Sequence, residues 1–134
     1  MWLQPSASSS HPKPRSRPVL IVDDDEDIRN ALREILPTWG YSVIGAADGY
    51  EAMTFAREFT PATIILDLFM PKMNGFLFRR WQLAQPNLAN VPVIVLTAAG
   101  SAGADLLSDV TALYKPVDFD LLHAFLDVHV RPGD

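Results

Sequence analysis

A chain of 134 residues, 49% apolar and 20% charged, has the size of one compact domain with a real core, which excludes wholesale disorder and two ordinary domains. The formal net charge of −5 excludes a general nucleic-acid binder, whose surface must be basic. The absence of cysteine excludes a disulfide framework and a thiolate metal site, and no apolar run approaches the ~20 residues of a membrane span.

Residues 1–17 are expected to be a disordered basic tail. They hold Pro5, Pro12, Pro14, a serine run at 8–10, Lys13, Arg15 and Arg17, but no acid. Such a segment buries too little apolar surface to offset its chain entropy. Without those three cations the remainder carries −8 instead of −5. An arm that docks on an anion is one reading of the tail; a solvated extension is the simpler one. The tail has no apolar signal-peptide core, so a soluble, cytoplasmic protein is expected.

VLIVD (19–23) reads as a buried strand. Ile28, Ala31, Leu32, Ile35 and Leu36 then recur at helical spacing, with Asp24 or Asp25 available as the cap and Gly40 past the end. YSVIGAA (41–47) is a second strand. Asp48 caps a helix whose Ala52, Phe55, Ala56 and Phe59 face the core, and Pro61 stops it. ATIILD (62–67) is a third strand, followed by a loop and a helix from about Gly75 to Ala84. QPNLAN is a turn, and PVIVL (92–96) a fourth strand that ends at Thr97. A weak, glycine-containing segment leads to a fifth strand, VTALY (110–114), ending at Lys115-Pro116. Asp118 caps a last helix, with Phe119, Leu122, Phe125 and Leu126 inward. Uninterrupted apolar strands alternating with helices predict a parallel sheet covered on both faces.

Ligands of such sheets bind beyond the carboxyl ends of the strands. Here the first strand ends in Asp23 and Asp24, the third in Asp67, the fourth in Thr97 and the fifth in Lys115. Crowded carboxylates need a cation or raised pKa values. Hard oxygen donors without His or Cys suit Mg2+, which keeps several waters and takes a phosphate oxygen. An ammonium opposite the acids suits a phosphoryl anion, and one carboxylate can itself be the nucleophile. Taken singly, a strand-end Asp is usually a cap, and a Lys or Thr there is ordinary. Their conjunction points to a magnesium-dependent phosphoryl site.

LIVDDDEDIR, LDLFMPKMNG, PVIVLTA and YKPV resemble the receiver domain of two-component response regulators over about residues 18–130. In that family the phosphorylated Asp is followed by Pro at the fourth position and Gly at the eighth, here Asp67, Pro71 and Gly75. The resemblance implies a flavodoxin-like (CheY-like) doubly wound α/β sheet of five parallel strands, order 2-1-3-4-5. The rule about strand ends was drawn partly from this architecture. It implies Asp67 as phosphoacceptor, Asp24 as a direct and Asp23 as a water-mediated ligand of Mg2+, and the Phe69 carbonyl as a further ligand. Thr97 would bond the phosphoryl group and move with it, Lys115 would pair with it, and the Lys115-Pro116 bond would be cis. A histidine kinase or histidine phosphotransfer protein would be the donor. The output would be contact with a further protein, with a phosphorylation-linked dimer as one form, and no direct contact with nucleic acid or membrane. The chain would be a signalling receiver rather than an enzyme, active in its own phosphorylation and dephosphorylation.

Two departures stand out. The stretch from Thr97 to Lys115 is short by several residues, and Gly100 and Gly103 weaken it, so the fourth helix is expected to be short or irregular. The family's switch aromatic falls at Ala112; Tyr114, on the same face of the strand, is expected to take part of that role. Only RPGD (131–134) follows the last helix, so a stand-alone receiver is expected. Two other readings remain: a receiver-like interaction module not controlled by phosphorylation, and a small Asp-nucleophile phosphatase of the haloacid-dehalogenase type, since Asp23 and Asp25 are spaced DxD. Asp27 stands where the latter class has Thr.

Overall fold

A computed structural model describes residues 17–98, 107 and 110–130. The apolar runs form the strands β1 (Val19–Val22), β2 (Val43–Ala46), β3 (Thr63–Leu66), β4 (Val93–Ala98) and β5 (Thr111–Lys115). All pairings are parallel, in the order β2-β1-β3-β4-β5. Four helices lie among the described residues: α1 (Glu26–Ile35), α2 (Gly49–Phe59), α3 (Gly75–Leu83) and α4 (Phe119–His129). Parallel neighbours need such crossovers.

The pleat sorts each strand's side chains into two cores. Leu20, Val22, Ile64, Leu66, Val93 and Val95 point to one face, where Ala52 and Ala56 of α2 and Phe78 of α3 pack. Val19, Ile21, Ile65, Ile94, Leu96 and Leu113 point to the other, against Leu32 of α1 and Leu122 and Leu126 of α4. With both faces covered, every residue of β1 and β3 is buried. Their carboxyl ends therefore hold a fixed edge on which polar groups can be placed.

Helix starts follow local chemistry. Asp25, Asp48, Asn74 and Asp118 each accept backbone N–H bonds from the first turn of α1, α2, α3 and α4. The first helix does not reach Leu36 as α-helix: Pro37 has no N–H to continue the ladder, and a 3-10 turn spans Leu36–Trp39. Gly40 closes it at φ 96°, the left-handed region that glycine enters without strain.

Three expectations need correction. The second strand is shorter than 41–47, because Tyr41 leaves the ladder: its N–H donates to Leu36 O and its hydroxyl to Asp127 and Val130 O. Burial and the Asp127 carboxylate push the Tyr41 hydroxyl's pKa well up, so it stays a donor tying β2 to the end of α4. The Ala47 N–H likewise donates to Glu51 Oε1. The fourth strand runs past Leu96, since Thr97 pairs with Tyr114 and Ala98 with Lys115. Phe59 is exposed, at the last position of α2, with its ring tilted on Phe55.

The turn at 84–92 is organised from within: buried Gln82 donates to Leu88 O (2.9 Å) and Val91 O (3.0 Å) and accepts from Arg79 (2.8 Å). The expected fourth helix, the N-terminal tail and RPGD lie outside the described residues.

Candidate phosphoryl and metal site

Asp23, one residue beyond β1, and Asp67, one beyond β3, sit side by side because Val22 and Leu66 are paired in register. Both acids are buried. Asp24 is exposed at the rim. One carboxylate oxygen from each of Asp23, Asp24 and Asp67 lies within 4.8 Å of the others.

Lys115, the last residue of β5, reaches across to this group. Its Nζ is 3.0 Å from Asp23 Oδ2 and 3.4 Å from Asp67 Oδ2. The first approach is a charge contact without hydrogen-bond alignment, so Asp23 Oδ2 has no directed donor among the described residues. Its Oδ1 accepts from the Asp25 N–H at 2.9 Å. Asp67 Oδ1 accepts from the Phe69 N–H at 3.1 Å.

Burial pushes the Asp67 carboxyl up to about 6, and the negative charge of Asp23 adds to this, while the Phe69 N–H and Lys115 oppose it. Burial by itself would lower the Lys115 ammonium, but the nearby negative charges of Asp23 and Asp67, with the bond to Asp67, together outweigh it and hold Lys115 above its ordinary value. Lys115 thus stays charged. Thr97 is fully buried in β4, and its hydroxyl has no hydrogen-bond partner among the described residues. An unpartnered buried hydroxyl on this rim is a donor held in reserve.

The donor set suits a small hard dication. Three carboxylates face a single ammonium, and Asp24 has no bond to any other side chain or backbone N–H among the described residues. Mg2+ binds through one or two such carboxylates and keeps several waters. The Phe69 ring is exposed and meets Phe76 edge-on at 6.0 Å. The Lys115-Pro116 peptide is cis, as expected.

One contributor, Arg29, escapes a reading of the sequence; for another, Gly75, the sequence shows the position but not the physical reason for it. Gly75 starts α3 against the backbone of Asp67 and Leu68: a Cβ there would lie 2.4 Å from Asp67 O and 2.7 Å from Leu68 Cα. Arg29 donates through NH1 to Asp23 O at 2.9 Å. The signal for Arg29 is a cation in the first turn of a helix that otherwise opens with acids.

A parallel sheet in this order, with an acid cluster at its carboxyl edge faced by a lysine, defines the receiver class of signalling domains. Comparison with known proteins agrees: residues 19–127 match the family model described as the response regulator receiver domain. Protein Rrf1 of Nitratidesulfovibrio vulgaris is 33% identical over 111 residues, 81% of this chain and 79% of that protein. The polar-differentiation response regulator DivK of Brucella anthropi is 33% identical over 85 residues, 63% of this chain and 69% of that protein. Among solved structures, chemotaxis protein CheY4 of Vibrio cholerae superposes with a TM-score of 0.78 at 31% identity, over 86% of this chain and 99% of that one. The chain belongs to the response regulator receiver domain family of two-component systems. Family membership sets aside the phosphatase reading. Receiver domains bind Mg2+ at such an acidic cluster, and they work with histidine kinases or phosphotransfer proteins. No helix among the described residues is long and apolar enough to cross a membrane.

Proposed function

We propose that this receiver accepts a phosphoryl group on Asp67, with Mg2+ held by Asp23, Asp24, Asp67 and the Phe69 carbonyl, and passes the signal on by protein contact. The observation that carries the reading is the triad of carboxylates within 4.8 Å of one another, faced by Lys115.

An Asp67 carboxylate oxygen attacks the phosphorus of a phosphohistidine on a histidine kinase or phosphotransfer protein. The O–P bond forms as the P–N bond breaks, and its electron pair goes to the imidazole nitrogen, which takes a proton from solvent. At neutral pH Asp67 is mostly ionised, as a nucleophile must be. Mg2+, when bound, neutralises charge on the transferring group. Lys115, already 3.4 Å from Asp67 Oδ2, pairs with one phosphoryl oxygen. The Thr97 hydroxyl donates to another and turns toward it.

The functional unit is residues 18–130, flanked by 1–17 and 131–134. The reaction is proposed to run in the cytoplasm. The chain acts only on its own Asp67.

Incubation with Mg2+ and a small phosphodonor tests the reading. Intact mass is expected to show one phosphoryl adduct, absent with EDTA and absent in Asp67→Asn. No adduct on the wild-type chain, or an adduct kept in Asp67→Asn, would overturn it and leave a docking module not controlled by phosphorylation.

A further inference from the structure

We propose that Arg29 is a positioning residue for the metal site, acting on Asp24 through the main-chain carbonyl of Asp23. The inference rests on the Mg2+ reading proposed for this site.

The two neighbouring acids are held very differently. Asp23 is fixed at all three of its oxygens: Oδ1 by the Asp25 N–H, Oδ2 by the charge of Lys115, and the carbonyl by Arg29. Asp24 is exposed, and nothing among the described residues bonds its carboxylate. Left alone, an exposed carboxylate beside two other acids swings toward solvent, since repulsion favours separation and water solvates it freely. Its place within 4.8 Å of Asp23 and Asp67 needs a cause in the backbone that launches it.

Arg29 supplies that cause. The Asp23 carbonyl belongs to the peptide unit that joins Asp23 to Asp24. A charge-assisted bond of 2.9 Å to it sets the plane of that peptide, and so the direction in which Asp24 leaves the chain. The β1 ladder holds the other side, through the Asp23 N–H to Ala46 O. The cation also sits where the helix dipole disfavours it. Asp25 caps α1, and the Arg29 N–H donates to Asp25 O in its first turn. Positive charge there is unfavourable unless a partner compensates it. The half-buried guanidinium turns back past the helix start to the strand end and finds one.

The test is Mg2+ titration of the full chain by calorimetry, with Arg29→Met, Arg29→Lys, Asp24→Asn and the double variant Arg29→Met/Asp24→Asn. Arg29→Met is expected to weaken Mg2+ about tenfold, the usual cost of losing a group that orients a metal ligand. In the Asp24→Asn background the same change is expected to cost less than about twofold, because the ligand it positions is gone. Arg29→Lys, which keeps the charge and a donor nitrogen, recovers affinity. Unchanged or tighter binding by Arg29→Met overturns the inference, since the guanidinium would then be at most a competing charge. An equal loss with and without Asp24 also overturns it, since Arg29 would be a general brace. If Asp24→Asn alone abolishes measurable binding, Arg29→Lys decides: recovery supports the inference, and a loss equal to that of Met overturns it. If Arg29→Met does not fold, Arg29→Gln, too short to reach, replaces it in the cycle. A wild-type chain that binds no Mg2+ fails the parent reading instead.

Discussion

At the scale of single residues, the burial of Asp67 has a cost in stability that depends on pH. Its folded-state value of about 6 stands above the ordinary 3.8, so the folded chain binds this proton more tightly than the unfolded one. The stabilisation from the protonated form is complete below the ordinary value and is lost as pH rises through 6. A shift of about two units corresponds to roughly 3 kcal/mol, an upper figure for a site that water and ions can relax. In EDTA, Asp67→Asn is therefore expected to be more stable than wild type at pH 8, with the gain shrinking toward zero near pH 4. Urea unfolding at both pH values checks this; a pH-independent difference would refute it. Phe69 is a second case. Its exposed ring stands two residues from Asp67, braced by Phe76, where it can shield an acyl phosphate from attacking water. Phe69→Asn is expected to shorten the phosphoryl half-life several-fold in a chase after donor removal. An unchanged half-life rejects shielding.

At the scale of elements, what the sequence reveals and what it hides have separate physical causes. Strands buried on both faces are apolar over most of their length, so β1, β3 and β4 stand out by the runs VLIV, IIL and VIVL. The site is legible for the same reason: Asp23, Asp67 and Lys115 are conspicuous because an apolar run stops at each. Asp118 and Asp48 announce helices by cap chemistry that is local. What is not legible depends on partners distant in the chain. Tyr41 leaves its strand for Asp127, 86 residues away, and no local pattern reveals that. Phe59 has helical spacing but falls at the helix end, beyond the sheet it would cover. Gly75 matches a family pattern, yet the reason for it is visible only when α3 lies on the Asp67 carbonyl. That packing yields a prediction about the element as a whole. The Gly75 N–H donates to Leu68 O at 2.9 Å, so the start of α3 is pinned to the chain just after Asp67. In Gly75→Ala the new methyl meets backbone atoms, which cannot rotate away, so the helix start and the loop after Asp67 must part. A loss of roughly 1–3 kcal/mol is expected, as for other overpacked sites. Adduct formation should slow with it, because the Asp67 peptide moves. Urea midpoint and phosphorylation rate, measured together, check both; a stable variant with a normal rate would show that the loop yields freely.

At the scale of the whole molecule, the proposed function raises the question of how the effect of a phosphoryl group on Asp67 would reach a surface that a partner can read. A ligand shifts a conformational equilibrium only by contacts that differ between its states. Under the proposed function Thr97 would offer such a contact: it is buried, without a hydrogen-bond partner among the described residues, and on the same rim as Asp67. In the next strand its register partner is Tyr114, a residue 46% exposed. The residue before Tyr114, Leu113, is buried in the core shared with α4, and the one after, Lys115, touches Asp67. Movement of Thr97 toward a phosphoryl group therefore has a short route to the surface: across one ladder pairing, to an exposed aromatic ring. Ala112, at the position where receivers usually carry the aromatic, has too little side chain to report such a movement. Tyr114→Ala is expected to take up phosphoryl at the wild-type rate, since its ring makes no contact with the acceptor. The two proteins should differ only after the phosphoryl group is in place. In the phosphorylated wild type, amide chemical shifts should change from Thr97 across β5 and into the start of α4; in Tyr114→Ala they should change at Thr97 and stop there. Two-dimensional amide spectra of both proteins, with and without phosphodonor, make the comparison. If β5 and α4 respond equally in the two proteins, the ring is a bystander, and Lys115 is the route from Asp67 to test next.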